Sequence, residues 1–368
     1  MTENARFLRN VLWKAALLFA VLNLLFAAWG DGQAALGRLS LYNRLIPGRE
    51  RFPFGENPQR AYNLSLYNLE AMFAAHQVSA PAQTGEVRVL LVGDSSVWGT
   101  LLTPAQTLAG QLNALHLQSC DGRPLRFYNL GYPTLSLTKD VMILDRAREL
   151  GAERMVWLVT LESLVREKQL DSPIVANNPA AVRGLAERYG LDWGAPQPVS
   201  PGFWQRTLVG QRRPLADLFR LQMYGVMWAA TGVDQEYPSE YPPAQRDLEA
   251  DPTYHGWEGA FPPQALAWDV LDAGLRAAAP AEVLLVNEPM LISSGQNADI
   301  RYNFFYPRWA YDDYRQALSE RAAQQGWRWL DAWDLVPEAE FTNSAIHLTP
   351  AGEALLAQAV AAELSVCP

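Results

Sequence analysis

A serine and a histidine far apart in the chain carry the chemistry that these 368 residues suggest. Ser95 stands in Gly93-Asp94-Ser95-Ser96, directly after the run Val87-Arg88-Val89-Leu90-Leu91-Val92. A strand that stops at Gly-Asp-Ser and turns into a helix sets a hydroxyl at the carboxyl edge of a sheet. The helix that follows aims free N–H groups and a positive dipole end at the same spot. Serine is a weak nucleophile until a base within hydrogen-bond reach takes its proton. His347, in Ile346-His347-Leu348-Thr349-Pro350-Ala351-Gly352, is the candidate base. Thr349 and Pro350 read as the cap and first turn of a last helix, which holds His347 on a short loop before it. The other histidines, His76, His116 and His255, are scattered, and no metal-ligand spacing occurs. Neither a metal nor a cofactor is expected.

The elements that must position these groups follow from apolar patterning. Short β-branched and aromatic runs predict strands at 87–92, 126–130, 155–159, 282–286 and 327–330. Helical patterns alternate with them at 103–116, 137–150, 264–278, 311–325 and 350–364, the first opened by Thr103-Pro104. Such alternation predicts an α/β fold with a doubly wound, mostly parallel sheet of five strands. Chemistry in such sheets gathers at the carboxyl ends of the strands. A helix at 59–76, with Ala61, Leu64, Leu69, Met72 and Phe73 on one face, precedes the first strand. Residues 165–262 interrupt the alternation with many prolines and with Trp193, Trp204, Trp228 and Trp257. A structureless stretch of about a hundred residues would be improbable, so a lid or inserted subdomain is expected. Its aromatics either line a cleft or form a small core of their own.

The first residues break the globular pattern. From Val11 to Trp29 the chain reads VLWKAALLFAVLNLLFAAW, and roughly 20 apolar residues span a bilayer as a helix. Arg6, Arg9 and Lys14 lie before or early in the run and Asp31 follows it, so the positive-inside rule puts residues 1–10 in the cytoplasm and the rest outside. A cleaved signal peptide is the rival reading, but Phe26-Ala27-Ala28 lacks the small first residue that such a site prefers. The remainder is an ordinary globular balance, 49% apolar and 19% charged. A net charge of −9 argues against a nucleic-acid partner. The two cysteines, Cys120 and Cys367, would be free to pair in an oxidising compartment. The expected division is a membrane anchor over 1–30, a connector with a packed helix over 31–85, and a catalytic domain over 86–368 that carries the 165–262 insertion.

The motifs together resemble a family. Val92-Gly93-Asp94-Ser95-Ser96-Val97-Trp98-Gly99 is similar to the first block of the SGNH (GDSL-like) hydrolases, and His347-Leu348-Thr349-Pro350-Ala351-Gly352 to their last. Asn129-Leu130-Gly131 matches the glycine block of that family, whose backbone N–H joins the oxyanion hole. The resemblance covers 86–164 and 281–366 in the family's order. It implies Ser95 as nucleophile, His347 as base, and the N–H groups of Ser95 and Gly131 as oxyanion donors, with Asp94 in support. Two positions depart. Where the family has an oxyanion-hole asparagine, Thr160-Leu161-Glu162-Ser163 offers Glu162, and an ionised carboxylate cannot donate. Asn287 and Asn303 are the candidate substitutes. Three residues before the histidine, where the family has aspartate, stands Ser344, preceded by Asn343. The Ser344 hydroxyl, a backbone carbonyl, or one of Glu288, Asp331 and Asp334 would then have to orient the imidazole.

The resemblance implies an ester hydrolase with a seryl acyl-enzyme, acting on acyl esters of cell-surface glycans or on small esters. Two alternatives stand beside it. One is an O-acyltransferase that moves acyl groups onto envelope polysaccharide. The other is an inactive SGNH-type domain that binds glycans.

Overall fold

The computed structural model describes residues 3–30, 32–45, 68–231 and 240–365. The N-terminal helix α1 spans Glu3–Ala28 and is exposed along nearly all its length, with only Asn23 and Ala27 buried. Two short helices follow, α2 (Gly32–Gly37) and α3 (Leu41–Leu45). Helix α4 (Leu69–Ala75) is capped by Asn68, whose side chain accepts the Ala71 N–H. The helix expected over 59–76 therefore ends one residue early, and its first half lies outside the described residues, as does the 46–58 connector.

Five strands then form one parallel sheet in the order β2-β1-β3-β4-β5. They are β1 (Val87–Val92), β2 (Leu125–Asn129), β3 (Arg154–Val159), β4 (Glu282–Asn287) and β5 (Arg328–Asp331). Every residue of β1 is buried, Arg88 included. That arginine is tolerated because its guanidinium donates to the carbonyls of Val78 and Ala80, each at 2.8 Å. Successive strand residues point to opposite faces, so the sheet builds two cores. Leu90, Val92, Met155, Trp157 and Leu285 pack on one side, and Val89, Leu91, Val156, Leu158 and Leu284 on the other.

The crossovers supply both helical layers. After β1 come the one-turn helix α5 (Ser95–Trp98) and α6 (Leu108–Ala114). The helix expected over 103–116 begins late because Thr107, not Thr103, is the cap. Thr107 Oγ1 accepts the Gly110 N–H, and the Thr103 N–H is taken by Gln106 Oε1 in a preceding turn. Helix α7 (Leu137–Ala147) follows β2, and α8 (Leu161–Leu164) follows β3. In the insertion lie α9 (Pro173–Ala176), α10 (Pro179–Tyr189) and α11 (Arg212–Thr231). Helices α12 (Trp268–Ala278), α13 (Arg308–Gln325) and α14 (Pro350–Leu364) complete the layers. A Cβ at Gly274 of α12 would sit 2.3 Å from the Trp157 ring, so glycine lets that helix close onto β3.

The first part of the insertion packs on the main core. Ile174, Val182, Leu185 and Trp193 join the core on the α7 and α12 side, and Trp193 Nε1 donates to Thr138 Oγ1 at 2.7 Å. Trp204 points to solvent. Cys120 is not a free thiol, while Cys367, its expected partner, lies outside the described residues.

Candidate active site

The strand order reverses between β1 and β3, and loops leaving the carboxyl ends of two strands on either side of such a switch open a crevice. Ser95 stands just beyond β1 and Glu162 just beyond β3. Gly93 turns the chain out of β1, since a Cβ there would lie 2.5 Å from a Val97 methyl. Asp94 caps α5 by accepting the Ser96 N–H at 2.8 Å. Gly99, at φ 83°, ends that single turn in the left-handed region glycine favours. Ser95 is thereby presented at the start of a helical turn.

His347 reaches it from the other end of the chain. Its Nε2 lies 2.8 Å from Ser95 Oγ. A short loop holds it: the Thr342 N–H donates to the His347 carbonyl at 2.8 Å, and Phe341 bridges Leu348. The ring's Nδ1 lies 2.9 Å from Asn343 Oδ1. An amide oxygen only accepts, so Nδ1 carries the proton and Nε2 presents its lone pair to the serine hydroxyl. The orienting residue is therefore Asn343, correcting the expectation of Ser344 or a carboxylate. Burial lowers the His347 pKa to about 4, and no carboxylate offsets that.

The other candidates fall elsewhere. Gly131 is packed on the backbone of Trp98, 2.2 Å from where a Cβ would sit, but its N–H donates to Asn129 Oδ1 at 2.9 Å. In this structure that donor is occupied by the Asn129 side chain. The Asn287 side chain is likewise engaged elsewhere: its Nδ2 donates to Asp331 Oδ1 at 2.9 Å and its Oδ1 accepts the hydroxyls of Tyr311 and Tyr314. Asn303 braces its own loop through Leu291 O and the N–H groups of Phe305 and Tyr306. Asp331 pairs with Arg315 at 2.5 Å, and Asp334 is exposed.

Glu288 does not approach His347. It lies beneath α5, where Ser96 Oγ donates to its Oε2 at 2.5 Å. Burial first, and then the nearby charge of Asp94, raise its pKa well above the ordinary carboxylate value. Asp94 is also raised by burial, against the charge of Lys139. Lys139 is fully buried, donates to the Gly93 carbonyl at 2.7 Å and pairs with Asp140 at 2.5 Å. A cavity of about 10 Å³, lined by Ser96, Glu288 and Glu353 among apolar side chains, lies in the same layer. Burial pushes the Glu353 carboxyl up to about 8.

Glu162 is the opposite case. Burial raises it, but hydrogen bonds from His255, Lys168 and Tyr254 outweigh that and hold it below its ordinary value. His255 Nε2 stands 2.9 Å from Glu162 Oε2, the Tyr254 hydroxyl donates to the same oxygen at 2.7 Å, and Lys168 closes on Oε1. The departure at 162 thus ties the insertion to the end of β3. Asn343, Lys139, His255 and Glu353 escaped sequence reasoning. Asn343 alone had a visible signal, an amide four residues before the histidine on one loop.

No family model matches the chain, and no curated protein does. Among solved structures it is similar to Est24, a carbohydrate acetylesterase from Sinorhizobium meliloti, at 15% identity over 76% of this chain and 98% of that one, with a TM-score of 0.34. It is similar to an M. Smegmatis aryl esterase at 14% identity over 76% and 98%, with a TM-score of 0.34. A lipolytic G-D-S-L family member from Veillonella parvula aligns at 10% identity over 74% and 96%, with a TM-score of 0.31. Likenesses this distant carry no argument about activity, which rests on the site itself.

Proposed function

We propose that the chain is an ester hydrolase working through a seryl acyl-enzyme. The observation that supports it is the bridge made by His347, with Ser95 Oγ on one ring nitrogen and Asn343 Oδ1 on the other. Ser95 Oγ attacks the ester carbonyl as His347 Nε2 takes its proton. The oxyanion forms at the start of α5, beside the Ser95 N–H. Collapse expels the alcohol, which receives the proton from His347. Water, deprotonated by the same nitrogen, then releases the acid and restores the serine. Asn343 fixes the tautomer but brings no charge to the imidazolium, so this base is weaker than one backed by a carboxylate.

For the substrate we propose acyl esters of cell-surface glycans, on the strength of the family resemblance and of a helix that suits a membrane anchor. Helix α1 is long and apolar enough to cross a membrane. A span there, with the catalytic domain outside the cytoplasm, fits the basic residues at its start. In that compartment a Cys120–Cys367 bridge would be stable.

The test uses the full chain in detergent, p-nitrophenyl acetate and a fluorophosphonate probe. Turnover and labelling are expected, both lost in Ser95→Ala. A wild-type chain that neither turns over nor labels, or a Ser95→Ala variant that labels equally, would refute the proposal. With an oligosaccharide acceptor present, acyl-sugar formation in excess of free acid would reassign the chain as a transferase.

A further inference from the structure

Helix α11 has two apolar faces, and only one is used. Leu218 and Leu221 pack on Ala71 of α4 and Leu36 of α2, and Gln222 Oε1 accepts the Leu41 N–H at 2.9 Å. The opposite side carries Phe219, Met223, Val226 and Met227 at helical spacing, all exposed, with Phe219 at 66% and Met223 at 54%. Nothing among the described residues covers them. The segment just before α11 in the chain also exposes Val199, Phe203, Val209 and Trp204, the last 75% exposed.

The place of this patch identifies what covers it. The Val209 N–H donates to Asn23 Oδ1 at 3.0 Å, so the 199–209 segment is fastened to the carboxyl end of α1. Ala27 is buried at the same end, while Trp29 is exposed beside Phe26. That end is where a spanning helix leaves the hydrocarbon, and tryptophans gather at such a boundary. Arg212 and Arg213 open α11 and are exposed, as cations at the level of lipid phosphates would be.

We propose that the outer face of α11, together with the Phe203-Trp204 turn, lies on the bilayer surface beside α1, as an interfacial helix that seats the catalytic domain against the lipid. This rests on the reading of α1 as a membrane span and adds a second, in-plane contact to it. The partner is a phospholipid bilayer with anionic headgroups.

The experiment places single nitroxide labels on the full chain in vesicles of phosphatidylcholine and phosphatidylglycerol, through Trp204→Cys, Phe219→Cys and Met223→Cys. Leu18→Cys in α1 serves as the lipid reference and Leu115→Cys on the catalytic domain as the aqueous one, with the unsubstituted chain as labelling background. Collisions with oxygen and with a water-soluble nickel chelate are then compared. The three test labels should favour oxygen and report a depth of about 5–10 Å below the headgroups, while Leu115→Cys favours nickel. Nickel-favouring values at all three, with Leu18→Cys in lipid, would overturn this inference and spare the span. Aqueous values at Leu18→Cys as well would overturn both. Dipolar broadening at Phe219→Cys that vanishes on dilution with unlabelled chain would assign the face to a second copy, which also overturns it. The substituted side chains are exposed, so the core is left intact.

Discussion

Two histidines on loops around the carboxyl edge of the sheet have exchanged the partners one would assign them. His347, beside Ser95, has a neutral amide on its other nitrogen. His255, in the insertion, faces the carboxylate of Glu162. Orientation and charge are thus separate services. An amide oxygen suffices to fix a tautomer, while the carboxylate is spent on fastening the insertion to the end of β3. The carboxyl groups repeat the contrast. Glu162, given three donors, stays ionised in spite of burial; Glu353, given none strong enough, is pushed up to about 8.

The sharpest way to break the comparison is to remove each imidazole. His347→Ala should lower kcat/KM by about 10⁴-fold or more, the scale of losing a triad base. His255→Ala should stay within about tenfold, because its ring acts on structure and not on the reacting serine. Equal losses would show that His255 takes part in the chemistry.

Next comes the amide. Asn343→Leu removes the tautomer lock and should cost about 10²-fold in kcat/KM, within the range general-base catalysis contributes. In the unaltered chain, activity needs neutral His347, so kcat/KM should fall on the acid side with a midpoint near the pKa of about 4. Asn343→Asp adds an anion that favours the imidazolium, and the midpoint should move up. A midpoint that does not move in Asn343→Asp would mean that the side chain at 343 does not bond the ring in solution.

Stability tests the carboxyl half of the contrast. Glu353 has a folded pKa of about 8 against an ordinary 4.5, so the native state holds a proton that the unfolded chain gives up across that window. Its contribution is full below about pH 4.5 and is lost as pH rises toward 8. Glu353→Gln should therefore gain a few kcal/mol over the unaltered chain at pH 9 and almost nothing at pH 4, read by denaturant melts. Glu162 has the reverse sign: held low in the fold, it contributes above its unfolded pKa and loses that contribution as pH falls. Glu162→Gln should cost about 2 kcal/mol at pH 7, the scale of hydrogen bonds to a charged group, with the difference shrinking in acid.

Much of the frame was legible. Runs such as 87–92 and 155–159 match the observed strands to within a residue, because fully buried parallel strands leave continuous apolar stretches. The meeting of Ser95 and His347 followed from motif and topology. The start of α6 differs from the expectation, since Thr103-Pro104 and Thr107 both offer a cap and Gly110, having no Cβ, lets the Pro104-Ala105 turn fold close against the helix that Thr107 caps. The Lys139-Asp140 pair was invisible in an amphipathic helix that gives no sign of which charged residues turn inward.

Local pattern by itself determined the strands, the strand-to-helix turn that raises Ser95, the loop that carries His347 and the apolar helix at the start. These depend on neighbours in the chain, whose spacing is written in the order of residues. Which side chain orients His347, where Glu288 finds its partner, and which buried carboxyls are pushed up or held low were decided only in three dimensions. Each is a competition for hydrogen bonds and for escape from water among groups that the fold packs together, as it brings Ser96 to Glu288 across the chain.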